Sequence, residues 1–370
     1  MENDDMKKIR GGRRIAVLAL VLAFVLSGCG KGNGNGGNTP GEVRETGKLR
    51  VVTTLFPYYD FVRQIAGDTV SLTLVVPAGM DSHSFEPTPS DMRTIQNADL
   101  LICNGGAMEQ WLLQVLDAVE TRDSMVVLTM MDYVDVLEEE LVEGMEDSGE
   151  NHQHEGENHD HGKQPDPHGS EDAYPESGDP DYDYVDHDGH ETEIEYDEHI
   201  WTSPVNAMKI TETIRDILVQ MDSSHETLYR QNADAYLEQL RGIDAGFRQV
   251  SEGRKRNLII LGDKFPFRYL AEEYRLDYRA AFSGCSTDTE PSARTIAYLI
   301  DKVKDGGIPV VYYLELSSHR VSEIIGEEAG AQPLLLHSCH NVTRAQFDAG
   351  VTYVELMAQN IENLRKGLDE

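Results

Sequence analysis

Two runs of alternating strand and helix signals, separated by one long stretch of helical periodicity, leave this chain few folds to choose from. In the first run, strand candidates Leu49 to Leu55, Val70 to Val76, Leu100 to Asn104 and Met125 to Leu128 alternate with helix candidates Tyr58 to Ala66, Pro89 to Asn97 and Glu109 to Val119. The second run begins at Leu258 to Leu261. It continues through helix Pro266 to Tyr274, strand Asp277 to Ala281, helix Ser292 to Lys304, strand Val310 to Leu314, helix Val321 to Glu328, strand Pro333 to Leu336 and helix Gly350 to Gly367. Such alternation predicts βαβ units and parallel sheets covered on both faces. Between the runs, Ile210, Ile214, Ile217, Leu218 and Met221 recur at helical spacing, Asp222-Ser223-Ser224 supplies capping residues, and a second helix follows from about His225. At ~1.5 Å per residue that helix reaches nearly 40 Å, the length of a lobe. The expected fold is α/β: two lobes, each with a mostly parallel sheet flanked by helices, joined by one long spine helix. The boundaries are 48–222 for the first lobe, 223–252 for the linking helix and 253–370 for the second lobe, a division that suits 370 residues because single cores stop growing beyond ~250 to 300.

Charge is concentrated in one place. The chain carries 66 acidic and 32 basic residues, and the stretch 138–198 alone holds 24 Asp or Glu against one Lys. A balance of −34 speaks against a phosphate-tracking nucleic-acid binder, which needs a basic face, and in favour of a cationic partner. The acidic stretch has no apolar periodicity, so it cannot bury enough surface to offset ordering and is expected to be a disordered loop within the first lobe. It also contains seven histidines. Of these, His152, His154, His159, His161, His187 and His190 are expected to collect divalent metal, since imidazole beside carboxylate suits ions such as zinc; His168 is the seventh.

The amino terminus reads as an export signal. A basic region ends at Arg13 and Arg14, the apolar run Ile15 to Leu26 is too short to span a bilayer, and Ser27-Gly28-Cys29 follows. Leu26-Ser27-Gly28-Cys29 resembles the bacterial lipobox, which implies a signal peptide over 1–28, lipidation of Cys29 and membrane anchoring through it. Met6 is an equally good translation start. The polar glycine-rich segment within 29–47 is a flexible tether. Export to an oxidising compartment leaves Cys103, Cys285 and Cys339 to account for; Cys103 lies in the apolar run Leu100 to Cys103, so a Cys285 to Cys339 disulfide is expected.

Three histidines stand beside turn-forming residues: His83 in Gly79-Met80-Asp81-Ser82-His83-Ser84-Phe85-Glu86-Pro87, His199 in Glu198-His199-Ile200-Trp201, and His337 in Leu336-His337-Ser338-Cys339-His340. His83 and His337 follow predicted strands, where ligands of open α/β sheets collect. With these motifs, and with Ala98-Asp99-Leu100, Gly105-Gly106 and Glu109-Gln110-Trp111, residues 48 to 365 resemble the metal-binding solute-binding proteins of bacterial ABC importers, the zinc and manganese lipoproteins of solute-binding family 9. The histidine-rich insert is similar to that of zinc members.

The resemblance implies a metal held between two lobes and delivered to a membrane ABC permease. His83 and His199 match the first-lobe ligands. Lys264 stands where many members have a third histidine, and an ammonium has no lone pair. Asp263 is the replacement candidate, and Cys285 and Cys339 would be thiolate candidates if unpaired. His337 stands for the usual last carboxylate, with His340 spare. The expected function is zinc capture by a monomeric, noncatalytic, lipid-anchored extracytoplasmic protein. Manganese or iron cargo is the alternative, and an exported zinc hydrolase using Glu86 or Glu198 as base is a more distant one, because no His-Glu-x-x-His motif is present.

Overall fold

A computed structural model describes residues 47–119, 124–145, 195–284, 286 and 290–369. The first lobe is built on strands β1 (Leu49–Thr53), β2 (Val70–Leu74), β3 (Leu100–Cys103) and β4 (Val126–Thr129), in the order β2-β1-β3-β4 and all parallel. The second uses β5 (Leu258–Phe265), β6 (Asp277–Ser283), β7 (Val310–Tyr313) and β8 (Gln332–Leu335), in the order β6-β5-β7-β8, again all parallel. The lobes thus repeat one topology, and the α/β expectation holds. The segment expected to be a signal peptide, most of the expected tether, Cys29, Cys285 and the loop histidines lie outside the described residues.

Helices α1 (Phe56–Ala66), α2 (Pro89–Gln96) and α3 (Gln110–Ala118) cover the first sheet; α6 (Arg268–Tyr274), α7 (Ala293–Gly306) and α8 (Arg320–Ala329) belong to the second. Their starts are chemically marked. Thr88 closes a capping box with Asp91 ahead of α2, and the Ser292 hydroxyl accepts the Thr295 N–H at α7. Helix α4 (Pro204–Met221) begins at a Ser203 cap with Pro at its first position, and α5 (Glu226–Gly253) is a single helix of 28 residues. A short helix α9 (Arg344–Asp348), absent from the sequence expectation, precedes the final α10 (Tyr353–Leu368).

Apolar packing explains how the lobes sit together. Under α2 and α3, Ile95, Leu101, Leu112 and Val115 fill one outer layer; under α7 and α8, Ile260, Leu299, Val303 and Ile325 fill another. The central layer is shared. Phe61 and Ile65 of α1, Ile210 and Ile214 of α4, Tyr236, Leu240 and Phe247 of α5, Leu261 of β5 and Leu356 and Leu364 of α10 belong to one continuous core. The spine helix is therefore half buried, and its apolar stripe at helical spacing packs on α1, α4 and α10.

Candidate metal centre

Strand ends deliver the site. Beyond β2 the chain turns through Gly79, whose φ of +89° suits glycine, into a short 3-10 turn Ser82–Ser84 that carries His83; Asp81 caps that turn by accepting the His83 N–H at 2.9 Å. His199 follows the acidic insert. Glu138 and Tyr196 form an antiparallel bridge, and Asp197 to His199 then run into the site. His340 follows β8. The ring centroids of His83, His199 and His340 form a near-equilateral triangle with sides of 6.2, 5.8 and 6.0 Å, and one ligand nitrogen from each lies within 4.8 Å of the others.

Buried groups around the triangle hold each ring. Asp197 Oδ1 accepts the His199 backbone N–H at 2.8 Å and lies 3.3 Å from His199 Nδ1, which leaves Nε2 as the outward lone pair. Glu198 points away from the site, accepting the N–H groups of Ala107 and Met108, and Asn104 Nδ2 donates to its carbonyl at 2.9 Å. Trp201 is fully buried. Its indole N–H donates to Ser338 O at 2.8 Å and its ring lies 5.5 Å from that of His340, coupling the two ligand-bearing segments. Asn341 Nδ2 donates to Pro77 O and Met80 O, so the loop of His340 is tied to the loop of His83. The Ser82 hydroxyl meets His340 Nε2 directly.

The electrostatics favour neutral imidazoles at two of the three corners. Burial and the neighbouring His199 push His83 down to about 4, and burial with His83 pushes His340 down to about 3. At His199 burial also disfavours charge, but Asp197 outweighs it and holds the ring above its ordinary value.

His337, expected as the last ligand, is not in this group. Beyond β8 the chain turns through Cys339, whose φ of +59° is left-handed, so the residues on either side of it are set by that turn. Ser338 and His340 line the cleft, while His337 and Cys339 turn toward the core. The His337 N–H donates to Asn360 Oδ1 at 2.7 Å, and its Nδ1 accepts the Cys339 N–H at 3.0 Å, beside Glu315. The expected Cys285 to Cys339 disulfide involves Cys285, which lies outside the described residues; Cys339 itself is a free thiol, fully buried in the shared core, and Cys103 is free as well.

Asp263 and Lys264 do reach the cleft. A register shift between Leu261 and Lys264 in the pairing of β5 with β6 marks a bulge, which lets Gly262, Asp263 and Lys264 all line the cavity. Asp263 does not join the imidazoles. Burial raises its pKa, and the Ser317 hydroxyl and the Lys264 and Leu314 amides occupy its carboxylate. Lys264 Nζ lies 4.0 Å from Asp81 Oδ2. His340 was legible in the sequence as an imidazole beside the right strand end, but nothing local distinguished it from His337.

Residues 51–367 match the family model described as zinc-uptake complex component A periplasmic. The chain is 31% identical over 325 residues to the zinc-binding lipoprotein AdcA of Streptococcus pneumoniae, covering 88% of this chain and 56% of that relative. It thus spans just over half the length of AdcA. It is 30% identical over 321 residues to the high-affinity zinc uptake system protein ZnuA of Bacillus subtilis, covering 87% of this chain and 88% of that protein. The crystal structure of the Zn(II)-bound ZnuA-like domain of S. pneumoniae AdcA superposes with a TM-score of 0.64 at 27% identity, covering 88% of this chain and all of that domain. A histidine triangle with one buried and two half-buried corners, on a chain matched over residues 51–367, leads to one conclusion: the chain belongs to the zinc-uptake complex component A periplasmic family.

Proposed function

We propose that this protein captures zinc between its lobes with His83, His199 and His340 and hands it to a membrane ABC permease. The observation that carries the reading is the histidine triangle, with two donors from the first lobe and one from the second. Three nitrogen donors favour zinc over manganese, which takes more oxygen ligands. Binding without catalysis fits the same geometry: Glu198, one of the two candidate bases, is committed to two backbone N–H groups. In this reading Cys29 carries the lipid that holds the protein at the outer face of the membrane, and the six loop histidines named above add weak capacity.

Competition against a zinc chelator tests the ligand set. His340→Ala should weaken zinc binding by about tenfold or more, since one donor of a four-coordinate shell is lost. His337→Ala should change affinity by less than about threefold while lowering stability by ~1–3 kcal/mol, because the buried Cys339 N–H loses its acceptor, His337 Nδ1. The reverse order would return His337 to the site. Deleting 151–190 should lower zinc stoichiometry and leave the tight site in place; calorimetry that loses the tight phase would refute the separation of roles.

A further inference from the structure

The zinc reading leaves one coordination position unassigned, and the inference here rests on that reading. Three imidazoles bring no charge, and among the described residues no carboxylate oxygen joins their group. Zinc prefers four donors. The rings open on a cleft of about 480 Å³, far larger than a bound water, whose share of liquid volume is about 30 Å³. Three of the four acids on the cleft wall already have partners, and the fourth, Glu290, is exposed to solvent and does not join the imidazole group. Asp81 accepts the His83 N–H and adjoins Lys264; Asp263 holds Ser317 and two amides; Glu315 accepts the N–H and the hydroxyl of Ser338.

Lys264 is the only Lys or Arg among the described residues that line this cleft. Its side chain is 16% exposed, and its charge acts on both His83 and His340. A divalent ion placed beside an ammonium is a pair of like charges in a partly desolvated space. An anion between them removes that conflict, and a carboxylate has the two oxygens needed to meet both. We propose that the cleft takes zinc together with a small carboxylate, one oxygen completing the coordination shell and the other paired with Lys264 Nζ, so that the cargo is a metal carboxylate complex.

Cobalt(II) in place of zinc reports donor number and geometry through its visible bands, and oxalate serves as the carboxylate probe. The full chain loaded with cobalt(II) is titrated with oxalate, and zinc affinity is measured by chelator competition at matched free zinc with and without oxalate. The expected result is a saturable band shift and roughly tenfold tighter zinc binding in the presence of oxalate. Both effects should persist in Lys264→Arg and vanish in Lys264→Met. Unchanged bands overturn the co-ligand, and that is the outcome if Asp81 swings in to complete the shell. An equal oxalate effect in Lys264→Met overturns the role of the ammonium. Zinc binding that survives both His83→Ala and His340→Ala removes the site itself and both readings with it, whereas intact zinc binding without an oxalate response removes the co-ligand alone.

Discussion

Protons compete with metal unequally at the three imidazoles. Only neutral imidazole binds zinc. With His83 held near 4 and His340 near 3, two donors stay available well below the ordinary imidazole range, while His199 beside Asp197 protonates first. Zinc affinity should therefore fall by a single proton per ion below the raised pKa of His199 and steepen only near pH 4, instead of collapsing around 6.5 as three free imidazoles would; chelator competition across that range checks it. The same shifts set the stability of the metal-free protein. Unfolded histidines take up protons near 6.5, and folded His83 and His340 take them up only near 4 and 3, so the unfolded state binds more protons in that window and stability falls as pH drops through it. His199 acts in the opposite sense, stabilising below 6.5 and losing that contribution as pH rises through its folded value. The buried Glu109 carboxyl, pushed up to about 7, also acts in that opposite sense, so the histidine contribution is read as a difference: between about pH 6.5 and about pH 4 the melting temperature of the metal-free protein should fall more in the wild type than in His83→Gln. Burial likewise pushes the Cys103 thiol up to about 12 and Cys339 well above its ordinary value. Iodoacetamide should leave both unlabelled in the native protein and label both after unfolding, read by mass spectrometry, since the thiolate is the nucleophile.

At the scale of elements, ligand placement depends on how strand exits and turns are anchored. Gly106 sits at φ +85°, and a Cβ there would stand 2.4 Å from the Glu198 carboxyl carbon. The turn after β3 and the segment of His199 are thus fitted to each other through a glycine and a carboxylate. Gly106→Ala should cost ~1–3 kcal/mol, from the positive φ and the clash together, and should weaken zinc binding several-fold by displacing the residue next to His199. Urea unfolding and chelator competition measure the two effects, and a variant with wild-type values in both would detach Glu198 from ligand placement. The strand and helix assignments were legible in the sequence, because period and capping chemistry are local. The side on which a residue emerges from β8 was not, which is why His337 was favoured over His340.

At the scale of the whole molecule, the lobes share a core and a polar knot. Asp60 of α1 is fully buried; it accepts the Tyr353 N–H of α10 at 2.7 Å and pairs with Arg63, which itself donates to Val351 O at 2.7 Å. One continuous core runs from α1 and α4 through α5 to β5 and α10, and the separate layers under α2 and α3 and under α7 and α8 are small beside it. Calorimetry should show one unfolding transition with equal calorimetric and van't Hoff enthalpies, and Asp60→Asn should lower its midpoint without splitting it. Two separate transitions would mean that the lobes fold independently. The sequence by itself determined the two strand and helix alternations, the spine between them and the acidic insert, since each is written in spacing or composition; the pairing of His83 with His199 came from the resemblance of their motifs to a known family. Only the tertiary structure decided that His340 completes the triangle, that Cys339 is a buried free thiol at φ +59°, and that Lys264 faces the cleft. Those outcomes depend on which face a strand exit presents and what packs against it from far along the chain, and no local period encodes that.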